Sequence, residues 1–225
     1  MVAQVASAFF SDVSETYTYH DAISYIKDQG IVQGYGDGTY KPDNLITRAE
    51  FTKIIILTKY TEDEAENCVP TKKFPDVPAK EWYAKYICLA KNNDIVKGYE
   101  DGTYKPNNNI SFAEAAKIVA NTYGLELTSE ADSPEHWYMP FVDALYLQAA
   151  VPMTITTDYG KLITRGEMAE TIFGVETEQG YTGDDTGITL DPDDTSDDVT
   201  GNDTTDDVTD DTSDDVTGDD VNDDP

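Results

Sequence analysis

An all-α fold of three helix–loop–helix repeats is predicted for this 225-residue chain by three observations. The phrase Ile46-Thr47-Arg48-Ala49-Glu50 returns as Ile110-Ser111-Phe112-Ala113-Glu114 and as Ile163-Thr164-Arg165-Gly166-Glu167. Sliding the chain on itself by 64 residues gives a gapless match, in which Phe10–Val13 meets Phe74–Val77 and Ile31–Pro42 meets Ile95–Pro106. Apolar residues recur at helical spacing on both sides of a turn-rich loop.

The elements follow in order. Tyr19, Ala22, Ile23 and Ile26 lie on one face of the first helix of repeat one, as do Tyr83, Tyr86, Ile87 and Ala90 in repeat two. In the loop, Asp37-Gly38 and Asp101-Gly102 supply residues that tolerate positive φ, and Pro42 and Pro106 disfavour helix just before the next element. The recurrent phrase then starts the second helix. Thr47/Glu50, Ser111/Glu114 and Thr164/Glu167 have the spacing of capping boxes, hydroxyl to backbone N–H and glutamate back to the cap residue's own N–H. Behind them run the stripes Phe51/Ile54/Ile55, Ala115/Ile118/Val119 and Met168/Ile172/Val175. The third repeat keeps Trp137-Tyr138, which matches Trp82-Tyr83, and the phrase, but Pro152–Leu162 replaces the loop.

The arginine of the phrase has a second meaning. Of 15 basic residues only Arg48 and Arg165 are arginines, and they occupy the same position of two repeats. A solvated surface would accept lysine there. A first-turn position with free backbone N–H groups, together with a planar guanidinium, suits a carboxylate or phosphate. Because a cation is disfavoured at a helix N-terminus, an anionic partner is required, either an outside ligand or an internal Asp that braces the repeat. Phe112 stands in that position in repeat two and can do neither job, so that site is expected to be lost or altered.

Charge divides the chain. Of 45 acidic residues, 18 are the aspartates of Asp184–Pro225, a stretch with no Lys, Arg, Glu or aromatic residue; the first 183 residues carry 27 acids against all 15 bases. The tail repeats Asp193–Gly201 as Asp210–Gly218 and buries too little to fold, so a disordered, extended acidic tail over 179–225 is expected. It matches no calcium-loop pattern, so calcium would bind it only diffusely. The net charge opposes nucleic acid, and no run is long enough to insert in a membrane. Ala6-Ser7-Ala8 has the small-residue character of a signal-peptide end, and residues 1–8 read as its remnant. With two thiols, Cys68 and Cys88, and two histidines at no ligand spacing, zinc and other metals are not implied. In an exported chain the thiols favour one disulfide, against two separate buried thiols.

The order F-x-D-V, W-Y, G-Y-x-D-G-T-Y-K-P and I-T-R-A-E resembles the S-layer homology family in three tandem copies, 9–66, 67–127 and a degenerate 128–178. That resemblance implies helical repeats around a pseudo-threefold axis. It also implies an extracellular, non-catalytic module that anchors proteins to the prokaryotic surface by binding secondary cell-wall polysaccharide, often pyruvylated, in grooves between repeats, with no cofactor. It further implies sugar-binding roles for Arg48 and Arg165, for Asp12 and Asp76 of F-x-D, and for Trp82 and Trp137. Repeat one has Thr18 where Trp82 stands, and repeat three has only Asp132 near the F-x-D position. No single repeat holds the whole Asp–Trp–Arg set, so a complete groove requires residues of different repeats. Tyr83 and Tyr86 read equally as core or as sugar platforms. A carboxylate-based glycosidase fragment and a lattice-forming surface protein are the rival classes. The former needs an isolated carboxylate pair, which no motif here supplies.

Overall fold

The computed structural model describes residues 9–131 and 133–177, so residues 1–8, Asp132 and the acidic tail, with the diffuse calcium binding expected of it, lie outside the described residues. Seven α-helices carry the fold: α1 (His20–Asp28), α2 (Arg48–Ile56), α3 (Glu62–Glu66), α4 (Ala84–Asn92), α5 (Phe112–Tyr123), α6 (Met139–Leu147) and α7 (Arg165–Thr177). A 3-10 turn, Pro134–His136, precedes α6. Extended pairing among the described residues is limited to three isolated bridges.

The three phrases begin their helices as their chemistry requires. Thr47 and Ser111 accept from the N–H of Glu50 and Glu114, whose carboxylates reach back to the cap N–H. Thr164 and Glu167 exchange the same two bonds, at 3.2 and 2.7 Å. A fourth box, Thr61/Glu64, starts the short α3 in the linker. Sequence reading passed over it, although its T-x-x-E spacing is the same.

The helices pack in a cycle. α4 packs on α2, α6 on α5, and α1 returns to pack on α7, so the first helix of each repeat leans on the second helix of its predecessor. At the centre, three isoleucines that open the phrases bond to one another. Ile46 N–H donates to Ile163 O at 3.2 Å, Ile163 N–H to Ile110 O at 3.1 Å, and Ile110 N–H to Ile46 O at 3.1 Å. All three are fully buried. A closed ring thereby satisfies three peptide donors and acceptors that would each be costly to leave unpaired.

A second set of bonds ties each phrase to the loop of the next repeat. Arg48 and Ala49 N–H donate to Asn108 O and Pro106 O, Phe112 and Ala113 N–H to Lys161 O and Tyr159 O, and Arg165 and Gly166 N–H to Asn44 O and Pro42 O. These bonds correct one expectation. The first-turn N–H groups are not open to an anion, because the neighbouring repeat's carbonyls occupy them.

Between α3 and α4, Cys68 and Cys88 form a disulfide, and Asn92 accepts from both the backbone and the hydroxyl of Thr71. Lys85 of α4 bonds to Glu62 and Glu66 of α3, fastening the linker from the other side.

Two stability experiments follow from this architecture. Reducing a bridge that spans 20 residues should remove about 3 kcal/mol by the loop-entropy estimate and lower the calorimetric midpoint by several degrees. Full thiol labelling of the native, unreduced protein would contradict the bridge. Ile110→Ala should cost about 2–5 kcal/mol in urea unfolding. Leu127→Ala, at an exposed position, should cost under about 0.5 kcal/mol.

Candidate functional site

The loop after each repeat's first helix builds a seat for an arginine. In repeat one, Gly34 adopts φ +72° with Phe10 so close that an added Cβ would lie 2.3 Å from the ring. Phe10 stacks on Tyr40 at 5.3 Å, and the chain then reverses through Lys41 at φ 60°. Asp12 holds this reversal: its two carboxylate oxygens accept from Tyr40 N–H at 2.8 Å and Lys41 N–H at 2.7 Å. Repeat two repeats the device. Asp76 accepts from Tyr104 and Lys105 N–H at 2.9 and 2.7 Å, Lys105 has φ 57°, and Gly98 lies under Phe74.

The arginine of the preceding phrase lies on that seat. Arg48 donates from Nε to Tyr104 O at 2.9 Å, with its guanidinium carbon 4.7 Å from the ring centre of Tyr99 and 4.8 Å from that of Tyr104. Arg165 donates from Nε to Tyr40 O at 2.8 Å, between Tyr35 at 5.0 Å and Tyr40 at 4.6 Å. Both side chains are buried, 5% and 7% exposed. Lysine could not reproduce this, because a flat guanidinium can face two rings while bonding sideways to a carbonyl.

Asp12 and Asp76 therefore take a different place from the one the resemblance implied. Neither is among the residues that line the two grooves described below. Each fixes the peptide on which an arginine rests, and both oxygens are already engaged by backbone donors. The brace expected for the arginines also changes: the carboxylate that meets Arg48 is Glu114, at 3.2 Å, not an aspartate. No carboxylate pairs with Arg165 among the described residues.

Two grooves open beside these arginines. The larger, about 950 Å³, is lined by Arg165 of repeat three, Tyr35, Glu50 and Lys53 of repeat one, and Trp82 of repeat two. The other, about 600 Å³, is lined by Arg48 of repeat one, Tyr99, Glu114 and Lys117 of repeat two, and Trp137 of repeat three. Every groove thus draws on three repeats, and the 64-residue register maps Tyr35, Glu50 and Lys53 onto Tyr99, Glu114 and Lys117. Trp82 is 51% and Trp137 39% exposed, whereas Tyr83 and Tyr86 are buried and belong to the core. Lys53 lies 5.9 Å from the Trp82 ring, and Lys117 5.0 Å from Trp137. Burial, reinforced by repulsion from Lys97, pulls the Lys117 ammonium below its ordinary pKa. Sequence reading missed the two lysines and the tyrosine seats. The lysines follow each capping glutamate by three residues, one helical turn along the same face, and this shared register could have found them.

The third interface is filled. Phe112, fully buried, occupies the arginine position 6.3 Å from Tyr159, and Glu170 stands where the other repeats have Lys53 and Lys117. Glu167 accepts from Lys161 Nζ and Thr154 Oγ1, both at 2.5 Å. Burial pushes the Glu167 carboxyl up, but these bonds and the Thr164 N–H outweigh it and hold its pKa below the ordinary value.

A helical repeat module whose successive units share aromatic, arginine-bearing grooves is the class of protein that these features define. Residues 9–52 and 73–116 match the model of the S-layer homology domain. The chain is 35% identical over 97 residues to the middle cell wall protein of Brevibacillus brevis, covering 43% of this chain and 9% of that protein. It is 34% identical over 116 residues to the cellulosome-anchoring protein of Acetivibrio thermocellus, covering 51% and 26%. It is 34% identical over 124 residues to the exoglucanase XynX of the same species, covering 55% and 11%. This chain accordingly spans only a small part of the length of the relatives it matches.

The Glu167 cluster generates a pH prediction. Its folded pKa lies below the ordinary 4.5, so its stabilisation is complete above that value and is lost as pH falls through the lower folded one. Glu167→Gln should flatten the acid limb of stability in urea unfolding below pH 4.5. A limb as steep as wild type would place the acid sensitivity elsewhere.

Proposed function

We propose that this chain is a cell-surface anchoring module, that its two grooves bind an anionic secondary cell-wall polysaccharide, and that residues 128–177 serve as its third repeat. The observation that carries the reading is the pair of equivalent grooves, each joining a tyrosine-seated arginine, a lysine and an exposed tryptophan from three repeats. Exposed indole faces suit sugar rings, and the guanidinium suits a carboxylate such as a ketal-linked pyruvate. The cellulosome-anchoring relative and the cell wall relative support the surface location.

The likeness to an exoglucanase supports a module attached to a catalytic body, not catalysis by these repeats. The groove carboxylates Glu50 and Glu114 are held in helix caps, and Glu62 beside Glu50 is bonded to Lys85 and Tyr86. No helix among the described residues is long and apolar enough to cross a membrane.

Purified sacculi should pull the protein from solution, and stripping the secondary polymer should abolish the capture. Arg165→Lys keeps the charge but loses the fork and the ring contacts, and should weaken capture about tenfold with a smaller effect on the melting point. Trp82→Ala should weaken capture while leaving the fold intact, because half of the ring is already in solvent. Undiminished capture by sacculi without the polymer would defeat the reading.

A further inference from the structure

The two grooves share their residues but not their electrostatics. In the Arg48 groove, Glu114 leans inward: Oε1 lies 3.2 Å from Nη1 of Arg48 and also accepts the Tyr99 hydroxyl at 2.5 Å. The pair is sheltered, with the arginine side chain 6% and the glutamate 20% exposed. Glu114 Oε2 also accepts the Ser111 N–H at 3.2 Å, whereas in the Arg165 groove the equivalent Glu50 bonds to its cap residue alone. Its Oε2 accepts both the N–H of Thr47 at 3.0 Å and the Thr47 hydroxyl at 2.8 Å.

The cap residue differs between the two grooves. The Thr47 hydroxyl donates to Glu50, and threonine's branched Cβ restricts the rotamers available to that hydroxyl. Both cap hydroxyls accept from the glutamate N–H, but Thr47 alone donates its own hydroxyl back, and the Glu114 Oε1 goes to Arg48 and Tyr99. Tyr35 correspondingly makes no bond to Glu50 and remains in the open wall of its groove. The rim charges differ as well: Glu62, bonded to Lys85 and Tyr86, lines the Arg165 groove alone. Lys97 and Glu100 add one charge of each sign to the Arg48 groove, where Gln33 and Gly36 stand in the other repeat.

We propose that the Arg165 groove receives the acidic group of the wall polymer, and that Glu114 reserves the Arg48 groove for uncharged sugar by occupying the guanidinium face that an anion would need. This division of labour rests on the anchoring reading above. An incoming carboxylate meets an unpaired fork beside Trp82. Beside Trp137 it must first displace Glu114 from a largely desolvated ion pair, leaving that carboxylate to share the groove with the newcomer. A sugar hydroxyl meets no such competitor, since Glu114 can accept from it.

The chain's two tryptophans, one in each groove, allow the grooves to be read separately. The indole N–H signals of Trp82 and Trp137 would be followed by NMR during titration with sodium lactate, a carboxylate small enough to reach either arginine. Trp82 should respond at a concentration about tenfold lower than Trp137, the effect of one charge-assisted hydrogen bond. Glu114→Gln keeps a capping-box side chain, so the helix start is preserved, and it should bring the two responses within about twofold. Equal midpoints in the wild-type protein overturn the proposal, with or without a folded variant, and so does a gap that survives Glu114→Gln. Silence of both indoles toward lactate with sacculus capture intact overturns this division of labour alone. Loss of sacculus capture itself defeats the anchoring reading.

Discussion

Three peptide groups, those of Ile46, Ile110 and Ile163, hold the rest of this molecule in place. Each donates to the next and the third returns to the first, so no repeat can leave without breaking bonds to both neighbours. The ring sits in a fully buried layer, where an unpaired amide would cost far more than an exposed one. Because the isoleucines immediately precede the capping boxes, the ring also sets where each second helix starts. The groove arginines, two residues further on, inherit their position from it.

From that constraint the recognition geometry follows. An arginine carried by one repeat reaches the loop of the next, where an aspartate has already fixed the peptide that will accept its Nε. Rings and carbonyl then restrain the guanidinium, so little side-chain freedom remains to be lost when a ligand arrives. The tryptophan comes from yet another repeat. Cyclic packing is thus what completes a groove, because an isolated repeat would lack both the arginine and the tryptophan.

The third interface shows the same frame put to another use. With Phe112 in place of arginine, and Glu167 bonded by Lys161 and Thr154, the space becomes core. α7 is buried on nearly every side there, and Gly174 permits an approach to Ala149 and Ala150 that a Cβ would block. An unmatched cation would be costly in so enclosed a place. Loss of the arginine and closure of the interface are therefore one change.

Sequence by itself determined the helices, because the capping boxes, the glycine-bearing turns and the apolar spacing are local and each residue acts within four positions of itself. It also marked Arg48 and Arg165, through their isolation among lysines, and the two tryptophans. What it left open was partnership. Whether a guanidinium meets an aspartate, a glutamate or a ligand depends on side chains about 55 to 125 residues away along the chain, as Tyr104 is from Arg48 and Tyr40 from Arg165. The aspartates of F-x-D illustrate the limit: their spacing is visible, but that their oxygens face backbone N–H groups 28 and 29 residues later is a property of the folded loop. Tertiary structure alone decided these pairings, because hydrogen bonds and ion pairs act over a few ångströms of space and are indifferent to distance along the chain.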